Sequence, residues 1–517
     1  MTTEMVAPSA ARLRSLLILL CGGLGLVVAG NSALAIALPD VAVDLGADQT
    51  ELTWVIDAYA LTFAALLLPA GIAADRLGRR TLLLAGLTVF AVANLASAFA
   101  PDPGWLIGLR AVAGVGAAAV FPVTLSALVD AYPPQRRGFA VSVWSGVSAA
   151  GAVLGTIVAG GLLELFWWGS VQLTFGVLAA LLLPGVLVLV AQRRDPSLSL
   201  DLVGALLSVL ALTALVLGVV EAPQRGWTSP EILAAFLLAA LATAAFVVHE
   251  LRTAQPSLDV RAFTEPGLAA GSLLVFLQFF ASLGLFVLAP QYLQLVREQT
   301  PLQAAASLLV IPVGVGAGTG LAPMLLARVG ARAPAVAGLL AMAAGFGLLA
   351  VALGGGDGPP LWSLVVALVA FGFGFGLAIT PGTVLILDGL PPERRSVASA
   401  VNDLAREVGG VLGIAVLSSA LVSRYRSEVA ASSAGLPEDA ARAVEDGAGA
   451  ALAVAGRLGP DGAALARAAQ DAFSLGLSTA SWIAAAALVG GAVLCGLLVP
   501  RGIRTEQDPH ASQPVAG

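Results

Sequence analysis

The sequence predicts an all-α polytopic membrane protein of 14 transmembrane helices arranged 6 + 2 + 6. Three observations predict it. The 517 residues are 58% hydrophobic and 11% charged, against about 25% charged in soluble proteins, and no water-soluble domain hides that much apolar surface. The apolar residues fall in runs of about 20, the helix length that crosses a hydrocarbon core roughly 30 Å thick. Two turns also nearly repeat, "DAYPPQRRG" from Asp130 and "DGLPPERRS" from Asp388, 388 − 130 = 258 residues apart.

Taken in order, the first run (14–38) follows Arg12 and Arg14; it is too long for a signal peptide and has no clear cleavage site. The second (51–71) opens after "PDVAVDLGADQTE" and carries Asp57. An arginine-rich turn leads to the third (81–100), and the fourth (104–128) carries Arg110. The fifth (138–163) follows the first Pro-Pro turn, and the sixth (171–191) ends at "QRRDPSLSLD". Runs seven and eight (202–220 and 230–248) form an inserted pair. The last six (267–290, 303–326, 334–353, 361–386, 397–421 and 477–499) echo the first six. A second pair of turns supports that register: "RLGRR" at Arg76–Arg80 and "RVGAR" at Arg328–Arg332 are offset by 330 − 78 = 252. Parallel halves of this kind are related by an axis along the membrane normal.

The expected domains are residues 1–192, the inserted pair 193–265, the second half 266–500 with an external loop at 423–473, and a cytoplasmic tail at 501–517. In that loop two short amphipathic helices are expected, broken at "GPDG". It would cover an outer vestibule, touch a partner or act as a spacer. Short-loop arginines, from Arg12 and Arg14 to Arg501 and Arg504, collect on one side, and only Arg225 and Arg297 lie opposite. Positive charge stays cytoplasmic, so both termini are expected inside the cell's inner membrane.

Several chemistries are not expected. Cys21 and Cys495 sit inside apolar runs, and His249 and His510 are far apart, so neither a disulfide framework nor a metal site follows. There is no P-loop and no credible triad. No cofactor, metal, nucleic acid or enzymatic activity is expected. The partners are the lipid bilayer and a small lipophilic solute, and the chain is expected to be a monomer.

Charges inside a membrane usually pair or do work. Asp57 and Arg110 each lie about six residues, or roughly 9 Å, from one end of their runs, so equal depth permits pairing. Asp57 would exchange protons while Arg110 adjusts its acidity; alternatively they form a permanent structural pair, or Asp57 sits in the wet interface. Trp54 and Tyr59 read as interfacial anchors. In "VNDLAREVGG", Asp403 and Glu407 are four apart and share a helix face, with Arg406 three after Asp403. They attract a cationic solute or carry protons, or else Arg406 neutralises Asp403 and the trio braces the bundle.

The 6 + 2 + 6 plan resembles the fourteen-span drug:proton antiporters of the major facilitator superfamily. "GIAADRLGRR" is similar to its loop 2–3 signature, "LIGLRAVAGVGAAAVFP" to its fourth span with a single buried Arg, "DLVGALLSVLALTALVLG" to its seventh, and "NDLAREVGGVLGIAVLSS" to its thirteenth. The segment joining the first two spans also matches. Acids at Asp403 and Glu407 resemble those of quaternary-ammonium exporters. The resemblance implies a gating turn at Gly71, Asp75, Arg76, Gly78, Arg79 and Arg80. It also implies proton-coupled efflux of lipophilic, cationic drugs or natural products, with the proton gradient as energy source. Uptake or exchange of a metabolite, or a sensor that moves nothing, are the alternatives. The sequence departs from the pattern at Thr156, where a proline is usual, at Ala159, where a glycine is usual, in the first span, which has Asn31 nearby but no acid, and at "WWGSVQ" before the sixth span.

Overall fold

The computed structural model describes residues 10–192, 201–253, 256, 258, 260–355, 360–388, 395–433 and 436–499. Among them there are helices and turns and no strand. The first six are α1 (Ala10–Leu45), α2 (Gln49–Leu77), α3 (Arg79–Ser97), α4 (Pro103–Ala131), α5 (Pro134–Leu163) and α6 (Gly169–Leu189). The inserted pair is α7 (Leu202–Arg225) and α8 (Pro230–Arg252). The second half comprises α9 (Pro266–Leu295), α10 (Pro301–Leu308), α11 (Val310–Val329), α12 (Arg332–Leu353), α13 (Leu361–Asp388), α14 (Arg395–Ser433), the short α15 (Glu438–Asp446) and α16 (Ala448–Arg457), and α17 (Ala463–Leu498).

The polar punctuation becomes helix caps. Asp48 and Glu51 close a capping box on α2, with Asp48 Oδ1 accepting the Glu51 N–H at 2.7 Å. Asp102 caps α4, Asp201 caps α7, and Ser229 followed by Pro230 starts α8. Thirteen helical segments among the described residues are long and apolar enough to cross a membrane. The tenth run is α10 and α11 in sequence, interrupted at Leu309. The fifth expected run lies in the 30-residue α5, of which Val153–Leu163 is the described apolar stretch.

The expected loop at 423–473 is helical at both ends. α14 continues to Ser433, and α17 already begins at Ala463. Hydropathy falls there, but helix-forming interactions do not: Arg424 pairs with Glu428 one turn on at 2.6 Å, and buried Tyr425 donates to the Val444 carbonyl at 2.9 Å. The "GPDG" break forms a 3-10 turn at Gly459–Gly462, between α16 and α17.

The two six-helix sets pack alike. α1 lies on α5 and α6, α2 on α4, and α3 on α4 and α6. In the same order α9 lies on α14 and α17, α11 on α13, and α12 on α13 and α17. The echoed turns match in backbone too: Gly78 has φ +102° and Gly330 has φ +75°. The second Pro-Pro turn lies outside the described residues at 389–394, as does the tail 501–517.

The sets close on each other at the end bearing α15 and α16, here called the hairpin face. Gln294 on α9 donates to the Ile36 carbonyl at 2.8 Å. Leu38 and Val41 of α1 share one apolar core with Leu285 and Leu288 of α9 and with Val444 and Ala451 of the hairpin. α7 ties in through Gln224, which donates to Asp48 at 2.9 Å, and Glu221, which accepts from Trp54 at 2.9 Å. At the opposite, arginine face, Asn402 to Val408 of α14 are half-exposed, whereas Gly409 to Val411 are buried.

Candidate functional site

α4 presents Arg110 to α2, and α2 answers with main chain and an aromatic ring. The Arg110 side chain is fully buried. Its Nε donates to the Val55 carbonyl at 3.1 Å, its Nη2 donates to Asn31 Oδ1 at 3.1 Å, and its guanidinium lies 4.3 Å from the centre of the Tyr59 ring. Tyr59 in turn donates to the Val27 carbonyl of α1 at 2.9 Å. Thr62, one turn on, donates to the Ala111 carbonyl at 2.9 Å. The helices meet this closely because residue 114 is glycine; a Cβ there would collide with Thr62 Oγ1 and the Tyr59 carbonyl.

Asp57 does not join this assembly. Val55, Tyr59 and Thr62 follow the i, i+4, i+7 pattern of one helix face, and Asp57, two residues from Val55, points about 200° away. That face of α2 holds Ala60, Leu61 and Ala64, packed on Val216, Val219 and Val220 of α7 and on Val411 and Ala415 of α14. Asp57 is fully buried, and neither of its carboxylate oxygens has a hydrogen-bond partner among the described residues. The expected Asp57–Arg110 pair therefore does not form, although α2 and α4 touch. Asp57 is not in a wet interface either. Tyr59 is 1% exposed and so is not a lipid-interface anchor, and Trp54 is hydrogen-bonded to Glu221 of α7.

On α14, Arg406 Nη1 stands 3.9 Å from Asp403 Oδ1, both side chains about a quarter exposed. The Arg406 guanidinium also lies 4.7 Å from the ring centre of Phe279 on α9. Glu407 is half-buried on the same turn, close enough for its charge to act on Tyr59 across the seam between the sets. The structure thus brings Glu407 toward the Arg110–Tyr59 assembly and leaves Asp57 on the far side of α2. An apolar recess of about 460 Å3, counting its open mouth, lies where α1, α5, α9 and α10 meet. Ser32 and Thr156 supply its hydroxyls, so Thr156 lines a recess at the position where the antiporter pattern has proline.

The expected gating turn is built around Gly78. Its φ of +102° is costly for any residue with a Cβ, and such a Cβ would also strike Gln192. Gln192, just beyond α6, donates to the Leu77 carbonyl at 3.1 Å and to Thr81 Oγ1 at 2.8 Å. Arg79 donates to the Ser126 carbonyl of α4 at 2.9 Å. Arg76 is exposed and Arg80 half-buried; a Cβ on Gly71 would meet open space, and the Asp75 side chain lies outside the described residues. Among the described residues no His, Cys, Asp or Glu cluster suits a metal. Asn31, Thr62, Gln192, Glu221 and Phe279 were not singled out for these contacts from the sequence. The i, i+4, i+7 spacing of Val55, Tyr59 and Thr62 was the one available signal.

The sequence profile of the Major Facilitator Superfamily matches residues 20–414. The chain belongs to that superfamily. Multidrug efflux pump LfrA of Mycolicibacterium smegmatis is 33% identical over 92% of this chain and 94% of its own length. Methyl viologen resistance protein SmvA of Salmonella typhimurium is 32% identical over 87% and 91%. Puromycin resistance protein pur8 of Streptomyces alboniger is 34% identical over 80% and 82%. Among solved structures, a bacterial homolog of the human lysosomal transporter Spinster aligns with TM-score 0.66 at 18% identity, covering 95% of this chain and 98% of that one. A D-xylose–proton symporter aligns at 0.60 and 16%, covering 94% and 98%. These two share the superfamily fold. The major facilitator architecture expected from the sequence is thus the observed one, in a membrane-embedded transporter whose similar relatives are named as a multidrug efflux pump and drug-resistance proteins.

Proposed function

We propose that this transporter exports lipophilic, cationic drugs or natural products across the inner membrane in exchange for protons. The relatives support efflux, and methyl viologen, named for one of them, is an organic dication. One observation carries the coupling: Asp57 is a carboxyl with no partner among the described residues, buried where α2 meets α7 and α14. A lone buried charge is expensive, and protonation removes that cost. Asp57 is then the proton carrier, loaded and unloaded as the seam between the two sets opens. Arg110 holds α1, α2 and α4 together rather than adjusting Asp57. Asp403 and Glu407 offer half-exposed carboxylates to a cation entering from the arginine face, and Arg406 tempers Asp403. The Gly71–Arg80 turn is the gate on that face.

In this scheme α5 is the remaining crossing, giving 14, and the arginine face with both termini is cytoplasmic. Residues 1–192 and 266–500 are the moving halves, 193–265 the inserted pair, and the chain works as a monomer with no resident cofactor. Efflux of fluorescent cations from proteoliposomes under an imposed pH gradient tests the proposal. The expected result is transport that stops when the gradient is collapsed. Transport indifferent to the gradient across a broad panel of cations would overturn it.

A further inference from the structure

The inserted pair holds a second buried acid site, remote in sequence from Asp57 and from the charged turn of α14. Asp201 caps α7 by accepting the Gly204 N–H at 2.8 Å, and its side chain is 5% exposed. Glu250, near the end of α8, is 2% exposed. The two carboxyls lie within hydrogen-bonding reach of each other. Asp201 Oδ2 and Glu250 Oε1 both converge on the space beside Gly204, where any Cβ would strike them. Neither oxygen finds a donor among the described residues. Two ionised carboxylates cannot donate to each other, and buried like charges in contact do not both stay ionised.

We propose that Asp201 and Glu250 share one proton, forming a proton-binding clasp at the arginine face of the inserted pair. The protonated oxygen of one acid donates to the orphaned oxygen of the other, which satisfies both. His249 is the imidazole neighbour of the pair; its Nε2 lies 2.8 Å from Asp201 Oδ1. Arg252 is exposed, and Arg261 turns to the Leu251 carbonyl at 2.6 Å. When the shared proton leaves to water, two negative charges face each other beside a half-exposed imidazole, and the clasp loosens.

The clasp reaches the transport site through one residue. The other Glu250 oxygen, Oε2, accepts the Leu258 N–H at 3.2 Å. Leu258 is buried with Leu268 and Val275 of α9, Ile386 of α13 and Val401 of α14, against which Leu404, Ala405 and Phe279 pack. Phe279 is the ring under Arg406. Proton occupancy between α7 and α8 therefore governs how the chain entering α9 is held against the charged turn of α14.

The test uses the purified full-length protein, as wild type, Glu250→Gln and Asp201→Asn. Both substitutions keep side-chain shape, and Asn still caps a helix. Infrared difference spectra between about pH 6 and about pH 9, taken for all three proteins in an Asp57→Asn background so that the Asp57 carboxyl does not contribute, should show a protonated-carboxyl band in the otherwise wild-type protein that is lost on raising the pH. It should be missing from both variants. Amide exchange at Leu258, corrected for its intrinsic pH dependence, should speed up about tenfold over the same range in the wild type, the change expected for a loss of 1.4 kcal/mol. It should stay slow in Glu250→Gln, whose amide donates to Asp201 at every pH. A wild-type band that survives unchanged in both variants overturns the proposal, because the proton then resides elsewhere. Equal Leu258 protection in wild type and Glu250→Gln at both pH values overturns it too.

Discussion

The charged residues of α2 and α4 and those of α14 meet the same bilayer in opposite ways. Arg110 is wholly dry and held by neutral groups: two oxygens and a ring. Asp57 is equally dry and held by nothing among the described residues. On α14 the charges neighbour one another and stay partly wet. Under the proposed function the difference separates two tasks. A buried carboxyl without a partner is most sensitive to gaining or losing a proton, whereas half-exposed carboxylates are accessible to a cationic solute.

The contrast breaks first at Asp57. Asp57→Asn should reduce gradient-driven transport to the level of empty vesicles, measured per folded protein. Folded yield should be kept, because no partner is stranded by the change; normal coupled transport in this variant would move the proton site to α14. Next in size, Arg110→Ala should cost stability rather than coupling alone. It removes the donor to Asn31 Oδ1 and a second donor to the Val55 carbonyl and opens a cavity, together worth about 3 kcal/mol or more. Thermal unfolding of the purified protein measures it, and Arg110→Lys should fall between, since lysine lacks the planar fork.

Smaller effects sharpen the other side. Glu407→Gln and Asp403→Asn should weaken cationic substrates about tenfold more than neutral ones of similar size, because a carboxylate in a partly dry cavity attracts a cation far more strongly. Equal losses for both classes would place these acids in coupling or packing. Gly78→Ala should cost about 1–2 kcal/mol of backbone strain in the same unfolding assay and displace Gln192. Smallest is the hairpin. Burial, together with the neighbouring Asp48 carboxylate, pushes the Asp446 carboxyl above its usual range. The folded state then holds this proton longer than the unfolded chain, so stability falls as pH climbs from the usual carboxylate range through the raised value. Asp446→Asn should raise the Tm slightly near neutral pH and leave it unchanged in acid.

Most of the fold was legible because apolar run length and arginine placement are local signals. The repeated turns located the two halves, and Gly78 and Gly330 share a left-handed backbone at the expected offset. The helix of the thirteenth run continues past the apolar residues to Ser433, which hydropathy does not register, because Arg424–Glu428 and the Tyr425 contact extend it. Within the site, residue types were legible and their facing was not. Equal depth permitted Asp57 to meet Arg110, yet Arg110 contacts Val55, and Asp57, two residues on, points to the opposite side of α2. Gln192 escaped notice because its partner, the Gly78 turn, lies 115 residues from it at Leu77.

α14 is 39 residues long and contains no proline, unlike α1, α2, α4, α9 and α13. At 1.5 Å per residue it measures about 58 Å, well beyond the hydrocarbon thickness. It carries Asp403 and Glu407 near one end and, some 27 Å along, Tyr425 and Arg426, which grip the hairpin through Val444 and Asp446. Its glycines Gly409 and Gly413 rest on the backbone of Phe276 and Phe280 in α9. One unbroken helix therefore joins the charged turn at one face to the hairpin at the other, so a displacement at either end is carried to its opposite.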